Sequence, residues 1–206
     1  MTEAPDARAF YADRVPAQFN RAFTEQEDTD EAGRRIYEDM RAVDATIRVE
    51  VEGEGGGVFY LNIDQGRMGA GDTPAHPPFL TLIQDRRAFE HLAREAGDSP
   101  FALLGGLAGL AGDMKLTRRR VEKLAKVNGL IRLEVTGDDG FALRAHFGGD
   151  PIPSRADTHI RMDESAYQDL RSGRLDPQSA FMNLQIVVEG NMRMAMQLAM
   201  AAVARD

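Results

Sequence analysis

The chain has 206 residues, 43% hydrophobic and 28% charged, with a formal net charge of −8; this is the balance of a soluble globular protein with one large or two small domains. The acidic balance argues against nucleic acid, which requires a basic face, and against docking on anionic lipid. With no cysteine, disulfides, thiolate catalysis and cysteine metal sites are excluded too.

The first residues, M-T-E-A-P-D-A-R, carry no basic-then-apolar leader pattern, and the longest apolar run, 101–111, is too short to span a bilayer. The expected location is the cytoplasm. Residues 1–29 read as an N-terminal extension. In it Phe10, Tyr11, Val15, Phe19 and Phe23 recur at helical spacing, interrupted by Pro16. This predicts an added helix or a clasp over an apolar surface, followed by an acidic, solvated linker over 25–31. Residues 30–43 form a helix with the stripe Ile36, Met40 and Val43. Ile47, Val49 and Val51 then alternate with Arg48, Glu50 and Glu52, the mark of a half-buried strand. The glycines of 53–57 make a turn and 58–63 is the returning strand. The Gly- and Pro-rich stretch 66–78 reads as loop and 79–83 as a third strand. Asp85 caps a helix carrying Phe89, Leu92 and Ala93.

The same order then returns. Residues 116–126 form a helix with a stripe of Leu116, Val121 and Leu124 and one basic side (Arg118, Arg119, Arg120, Lys123, Lys126), read as a solvated face. Ile131, Leu133 and Val135 mark a strand and 141–147 its return. A loop over 148–157, a third strand over 159–162 and a helix over 165–170 follow. Aligned at an offset of 84, residues 37–53 and 121–137 share seven of 17 positions, among them Ile47/Ile131, Arg48/Arg132 and Glu50/Glu134. At an offset of 78, 85–92 faces 163–170 and 112–116 faces 190–194. Such self-similarity predicts a tandem duplication, with 30–116 as the first repeat and 117–206 as the second. The recurring Arg48/Glu50 and Arg132/Glu134 predict a cross-strand ion ladder on the face opposite the apolar residues.

Few residues suggest chemistry. His76, His91, His146 and His159 have no metal-ligand spacing, so each reads as a surface or internally satisfied histidine. Gly105, Gly106, Gly109 and Gly112 lack the strand and acid of a dinucleotide fingerprint. The loop glycines Gly66, Gly69 and Gly71 open no helix, as a phosphate cradle would. No catalytic set, metal site or cofactor is expected.

The closing stretch, 173–200, is the most distinctive. Asp176 and Pro177 signal a helix start. Residues 184–188 form an apolar run, interrupted by Gly190 and Asn191. A helix over 192–203 then puts Met192, Ala195, Met196, Ala199 and Val203 on one face and Met194, Leu198 and Ala201 on another. A helix apolar on two faces is expected to be buried on more than one side, and methionine suits surfaces of variable shape.

Gly173, Pro177, Ala180-Phe181 and Gly190-Asn191-Met192, with the apolar helix after them, resemble the signature of the type-two sterol carrier protein family, G-K-x-x-P-x-x-A-F-x-x-G-K-x-x-I-x-G-[ND]-M. Arg174 stands here for the first Lys, Leu184 for the inner Gly and Gln185 for the second Lys. The resemblance implies an α+β fold of two sterol-carrier-like repeats, each a twisted, mainly antiparallel sheet with helices packed on one face. It implies an apolar tunnel closed by the C-terminal helix. It also implies a non-enzymatic carrier of a sterol, a fatty acyl chain or another apolar small molecule. The expected lining is Phe181, Leu184, Ile186, Val188, Met192, Met196 and Met200, with Leu133 and Val135 from the sheet and Ala142 or Leu143 according to strand phase. In the first copy, 102–116 is rich in Gly and Ala where 180–194 is bulky, so the cavity is expected in the second repeat alone. The rival reading is a non-catalytic structural or interaction module on the same duplicated fold. Transient membrane contact is disfavoured by the charge, and the sequence leaves the oligomeric state open.

Overall fold

Alternating apolar residues from both halves of the chain feed a single sheet. The computed structural model describes residues 6–27, 30–95, 115–149 and 151–203; the Gly- and Ala-rich stretch 102–114, with Gly105 to Gly112, lies outside the described residues. The strands are β1 (Ala45–Val51), β2 (Gly57–Asp64), β3 (Arg67–Gly71), β4 (Pro78–Gln84), β5 (Gly129–Thr136), β6 (Phe141–Phe147), β7 (Thr158–Asp163) and β8 (Ile186–Gly190). Among the described residues they lie in the order β3-β2-β1-β4-β6-β5-β7-β8. β1 is antiparallel to β2 and parallel to β4; β5 is likewise antiparallel to β6 and parallel to β7. The halves join where β4 runs antiparallel to β6, from Leu80 opposite Phe147 to Gln84 opposite Leu143.

The pleat sorts the residues by face. Ile47, Val49, Leu82, Ile131, Leu133, Val135, Leu143, Ala145 and Met162 are buried toward the helices. The helices are α1 (Ala7–Ala9), continued by a π-helical segment Phe10–Arg14 into α2 (Val15–Glu25), then α3 (Glu31–Arg41), α4 (Arg86–Glu95), α5 (Arg118–Ala125), α6 (Glu164–Arg171), α7 (Pro177–Met182) and α8 (Met192–Val203). The expected Asp85 cap forms, and Asp163 caps the equivalent helix. Asp85 accepts the Ala88 N–H at 2.8 Å and Asp163 the Ala166 N–H at 2.7 Å.

The N-terminal extension is a helix that completes the first half's core. Tyr11 stacks on Phe59 at 5.5 Å, and Phe10 meets Phe89 edge-on at the same distance. The Gln84 amide donates to the buried Tyr11 hydroxyl, and burial raises the Tyr11 phenol above its ordinary range.

Two elements differ from expectation. The loop predicted over 66–78 contains β3. Its two glycines conceal the strand, which is built from outside: Gln65 (φ 47°) and Gly66 (φ 76°) make a tight hairpin turn, and β2 supplies the ladder. The basic side of α5 is also not wholly solvated. Arg120 is buried; its Nη1 donates to the Lys115 carbonyl at 2.7 Å and its Nε to the Ala201 carbonyl at 3.3 Å. A guanidinium there meets the negative end of the α8 dipole. Arg120→Leu is expected to cost roughly 3 kcal/mol, because two buried carbonyls lose a charged donor. A denaturant titration with a midpoint unchanged from the parent would refute this role for Arg120.

The repeated arginine–glutamate pairs lie on the outer face, but each closes within its own strand: Arg48 to Glu50 at 3.0 Å and Arg132 to Glu134 at 3.4 Å. Alternation places residues i and i+2 on one face, close enough to meet. The links between strands come from other residues, His159 to Glu134 at 3.0 Å and Arg144 to Glu52 at 2.5 Å.

Candidate functional site

The closing segment is a helix, a strained turn, an edge strand and a second helix, and its special residues each have a structural task. Gly173 (φ 73°) ends α6 in the left-handed conformation. The Asp176 carboxylate accepts the Ser179 N–H at 2.9 Å and opens α7. Hydrogen bonds from the Ser179 side chain and backbone hold that carboxyl below its ordinary value. Ala180 is fully buried beneath the turn. Leu184 sits at φ 57°, a conformation glycine adopts freely and leucine only with strain.

β8 then pairs antiparallel with β7, Val188 opposite Ile160 and Ile186 opposite Met162. Gly190 (φ 91°) lies so close to the Asp157 carbonyl that a Cβ would stand 2.3 Å from that oxygen. Asn191 switches the chain from strand to helix. Its N–H donates to the Asp157 carbonyl at 2.8 Å, and its side-chain oxygen accepts the Met194 N–H at 3.1 Å to cap α8.

The residues expected to line a cavity fall into two groups. Leu133, Val135 and Ile186 are buried in the core, and Val188 is half-buried against it. Leu143 joins the core, and the opposite strand phase puts Ala142 on the outer face. The other five are at the surface: Phe181 is 44% exposed, Leu184 81%, Met192 39%, Met196 60% and Met200 67%. Burial of α8 on more than one side is therefore not what the structure shows. Met194, Leu198 and Ala201 anchor one face, while the methionines at 192, 196 and 200 are exposed on the other. Met182, at 71% exposed, extends the same apolar set and was missed in the sequence; its place one residue after the Ala-Phe pair was the available signal.

A second feature lies on the outer face. A hollow of about 600 Å³ is bordered by Arg132, Arg144, Arg155, Asp157, His159 and Glu189. It is polar, and much of its charge is matched internally, by the Arg132, His159 and Arg144 pairs already described and by Arg161 on Glu189 at 3.7 Å. Burial raises the Glu134 carboxyl, but hydrogen bonds and charge from His159 and Arg132 outweigh it and hold that group below its ordinary value. Such a surface does not suit an apolar guest. Among the described residues there is no group of three or more His, Asp or Glu placed to hold a metal ion, and no helix is long and apolar enough to cross a membrane.

Comparison with known families gives a match over the same region. Residues 115–203 match the SCP-2 sterol transfer family. The matched region runs from the approach to α5 through α8 and contains the exposed apolar residues between 181 and 200. Two solved structures are similar to the chain. The apo form of Sterol Carrier Protein 2 from Yarrowia lipolytica is 19% identical over 43% of this chain and 79% of that one, with a TM-score of 0.29. A conserved hypothetical protein of Thermus thermophilus, described as possibly a sterol carrier protein, is 13% identical over 98% of this chain and 85% of that one, with a TM-score of 0.26. No curated protein matches. The architecture is mixed α+β, an open sheet with helices.

Proposed function

We propose that the chain is a non-enzymatic carrier that takes up a sterol, a fatty acyl chain or a similar apolar molecule through the α7–β8–α8 segment. The observation that carries this reading is the match of residues 115–203 to the SCP-2 sterol transfer family. The ligand is held against the α7–β8–α8 segment, with Phe181, Leu184, Met192, Met196 and Met200 at its mouth and Ile186, Val188, Leu133 and Val135 beneath. Flexible methionines adapt to guests of different outline. Burying about fifteen methylenes at ~0.8 kcal/mol each gives about 12 kcal/mol, and a capture cost of about 4 kcal/mol leaves about 8 kcal/mol, a scale near micromolar.

The chain is read as a tandem duplication of which the second half alone binds. Support comes from the shared residues, the matching strand pairings around β1 and β5, and the equivalent caps Asp85 and Asp163. In the first half the space under the sheet is taken by Phe10, Tyr11 and Phe89.

Native mass spectrometry of freshly purified protein, with extraction and identification of the bound lipid, tests the proposal. One apolar passenger per chain is the expected result. A protein that emerges empty and ignores a panel of fluorescent fatty acids and sterols would overturn it.

A further inference from the structure

We propose that the β8 edge, with the apolar side chains that flank it, is a self-association surface whose occupant is a second copy of this chain. This goes beyond the carrier reading and does not depend on it.

The two ends of the sheet are treated differently. At the β3 end, α2 lies against the strand and Asn20 brackets it. The Asn20 Nδ2 donates to the Met68 carbonyl at 2.8 Å, and its Oδ1 accepts the Met68 N–H at 2.8 Å. At the β8 end no described strand pairs beyond Ile186–Gly190. An open edge is a template for another strand, and proteins usually guard it with Lys, Pro or a covering element. The run Ile186-Val187-Val188 has no such residue.

β8 is also self-complementary. An antiparallel partner centred on Val188 places that residue against its own counterpart, Ile186 opposite Gly190 and Val187 opposite Glu189 of the second copy. No like charges face each other across the seam. A two-fold axis needs one surface only, used twice.

The flanking surface is large enough. Six apolar side chains of α7, the turn and α8 are 39–81% exposed, and Val187 is 43% exposed on the outer face of β8; at about 200 Å² for a large side chain, the six present on the order of 700 Å². A standard interface buries about 800 Å² on each partner, and the largest apolar patch of a typical monomer is roughly 300–600 Å². Leu184 adds a second indication. Its backbone is left-handed and its side chain is 81% exposed, so strain holds an apolar group out into water. A membrane is the less favoured occupant, since the net charge of −8 opposes anionic lipid.

Sedimentation velocity of the delipidated chain, from about 1 to 200 μM, tests this without reference to any ligand, and a dimer is expected within that range of typical weak-to-moderate affinities. Val187→Lys should weaken it at least tenfold, by guarding the edge. Leu184→Gly should weaken it as well while leaving the melting temperature at or above that of the parent, which separates lost contact from lost fold. Because the chain has no cysteine, Val188→Cys should form a disulfide-linked dimer on mild oxidation. A monomer throughout the range overturns the proposal. So does a dimer that neither edge variant affects, or a monomer that instead co-sediments with phosphatidylcholine vesicles.

Discussion

Met196→Glu is expected to lower uptake of a fluorescent fatty acid at least 100-fold while leaving the fold intact. In the empty protein the side chain is 60% exposed, so a carboxylate there keeps its water. Surface changes of this kind usually shift stability by no more than about 0.5 kcal/mol. In the loaded protein the same carboxylate would lie against an acyl chain or sterol ring with no partner, at a cost of several kcal/mol. The measurement is a fluorescence titration below about 1 μM, dilute enough for self-association of ordinary strength to be negligible, with a thermal melt as control. Unchanged uptake with an unchanged melt would remove Met196 from the site.

The second large effect concerns the N-terminal helix. Tyr11→Ala should destabilise the chain by about 3–5 kcal/mol, the usual cost of truncating a buried aromatic residue. At roughly 2–4 °C per kcal/mol for a chain of this size, its melting temperature should fall by about 10 °C. Tyr11→Phe keeps the ring packed on Phe59 and Phe89 but strips the Gln84 amide of its acceptor, for about 1–2 kcal/mol.

The pH dependence has a definite sign. Burial raises the phenol's pKa in the folded state, so the unfolded chain releases this proton first. Stability is fully present below about pH 10, the ordinary phenol value, and declines as the pH rises above it. Tyr11→Phe should lose that part of the alkaline decline. An alkaline profile identical to the parent's would show that Tyr11 is not sealed from water in the folded chain.

Strand alternation made the sheet's inner face legible, because period-two burial leaves the same imprint wherever it occurs: Ile47, Val49 and Val51 in one half, Ile131, Leu133 and Val135 in the other. The caps Asp85 and Asp176 were legible because each is set by residues adjacent in sequence. What escaped depends on neighbours distant in sequence. β3 has weak strand residues and exists through β2 and Asn20. Arg120 looks like one more surface arginine until α8 arrives 81 residues later to receive its hydrogen bond. For α8, composition gave the apolar character and not its environment. Met192, Met196 and Met200 stay exposed because the core receives only the face with Met194, Leu198 and Ala201, a fact of tertiary packing that no helical pattern records. Leu184 stood out as a departure from the family pattern, and its positive φ explains why glycine belongs there.

The seam between β4 and β6 ties the matched region to the rest of the sheet. The region that matches a known family ends its own ladder at β6, and the neighbour that completes β6 comes from the other half. Phe147 lies opposite Leu80, and Leu143 opposite Gln84, so the seam runs through buried side chains as well as backbone bonds. Excising the matched region would bare a second raw edge and strand those residues in water. The matched region is therefore smaller than the sheet it belongs to.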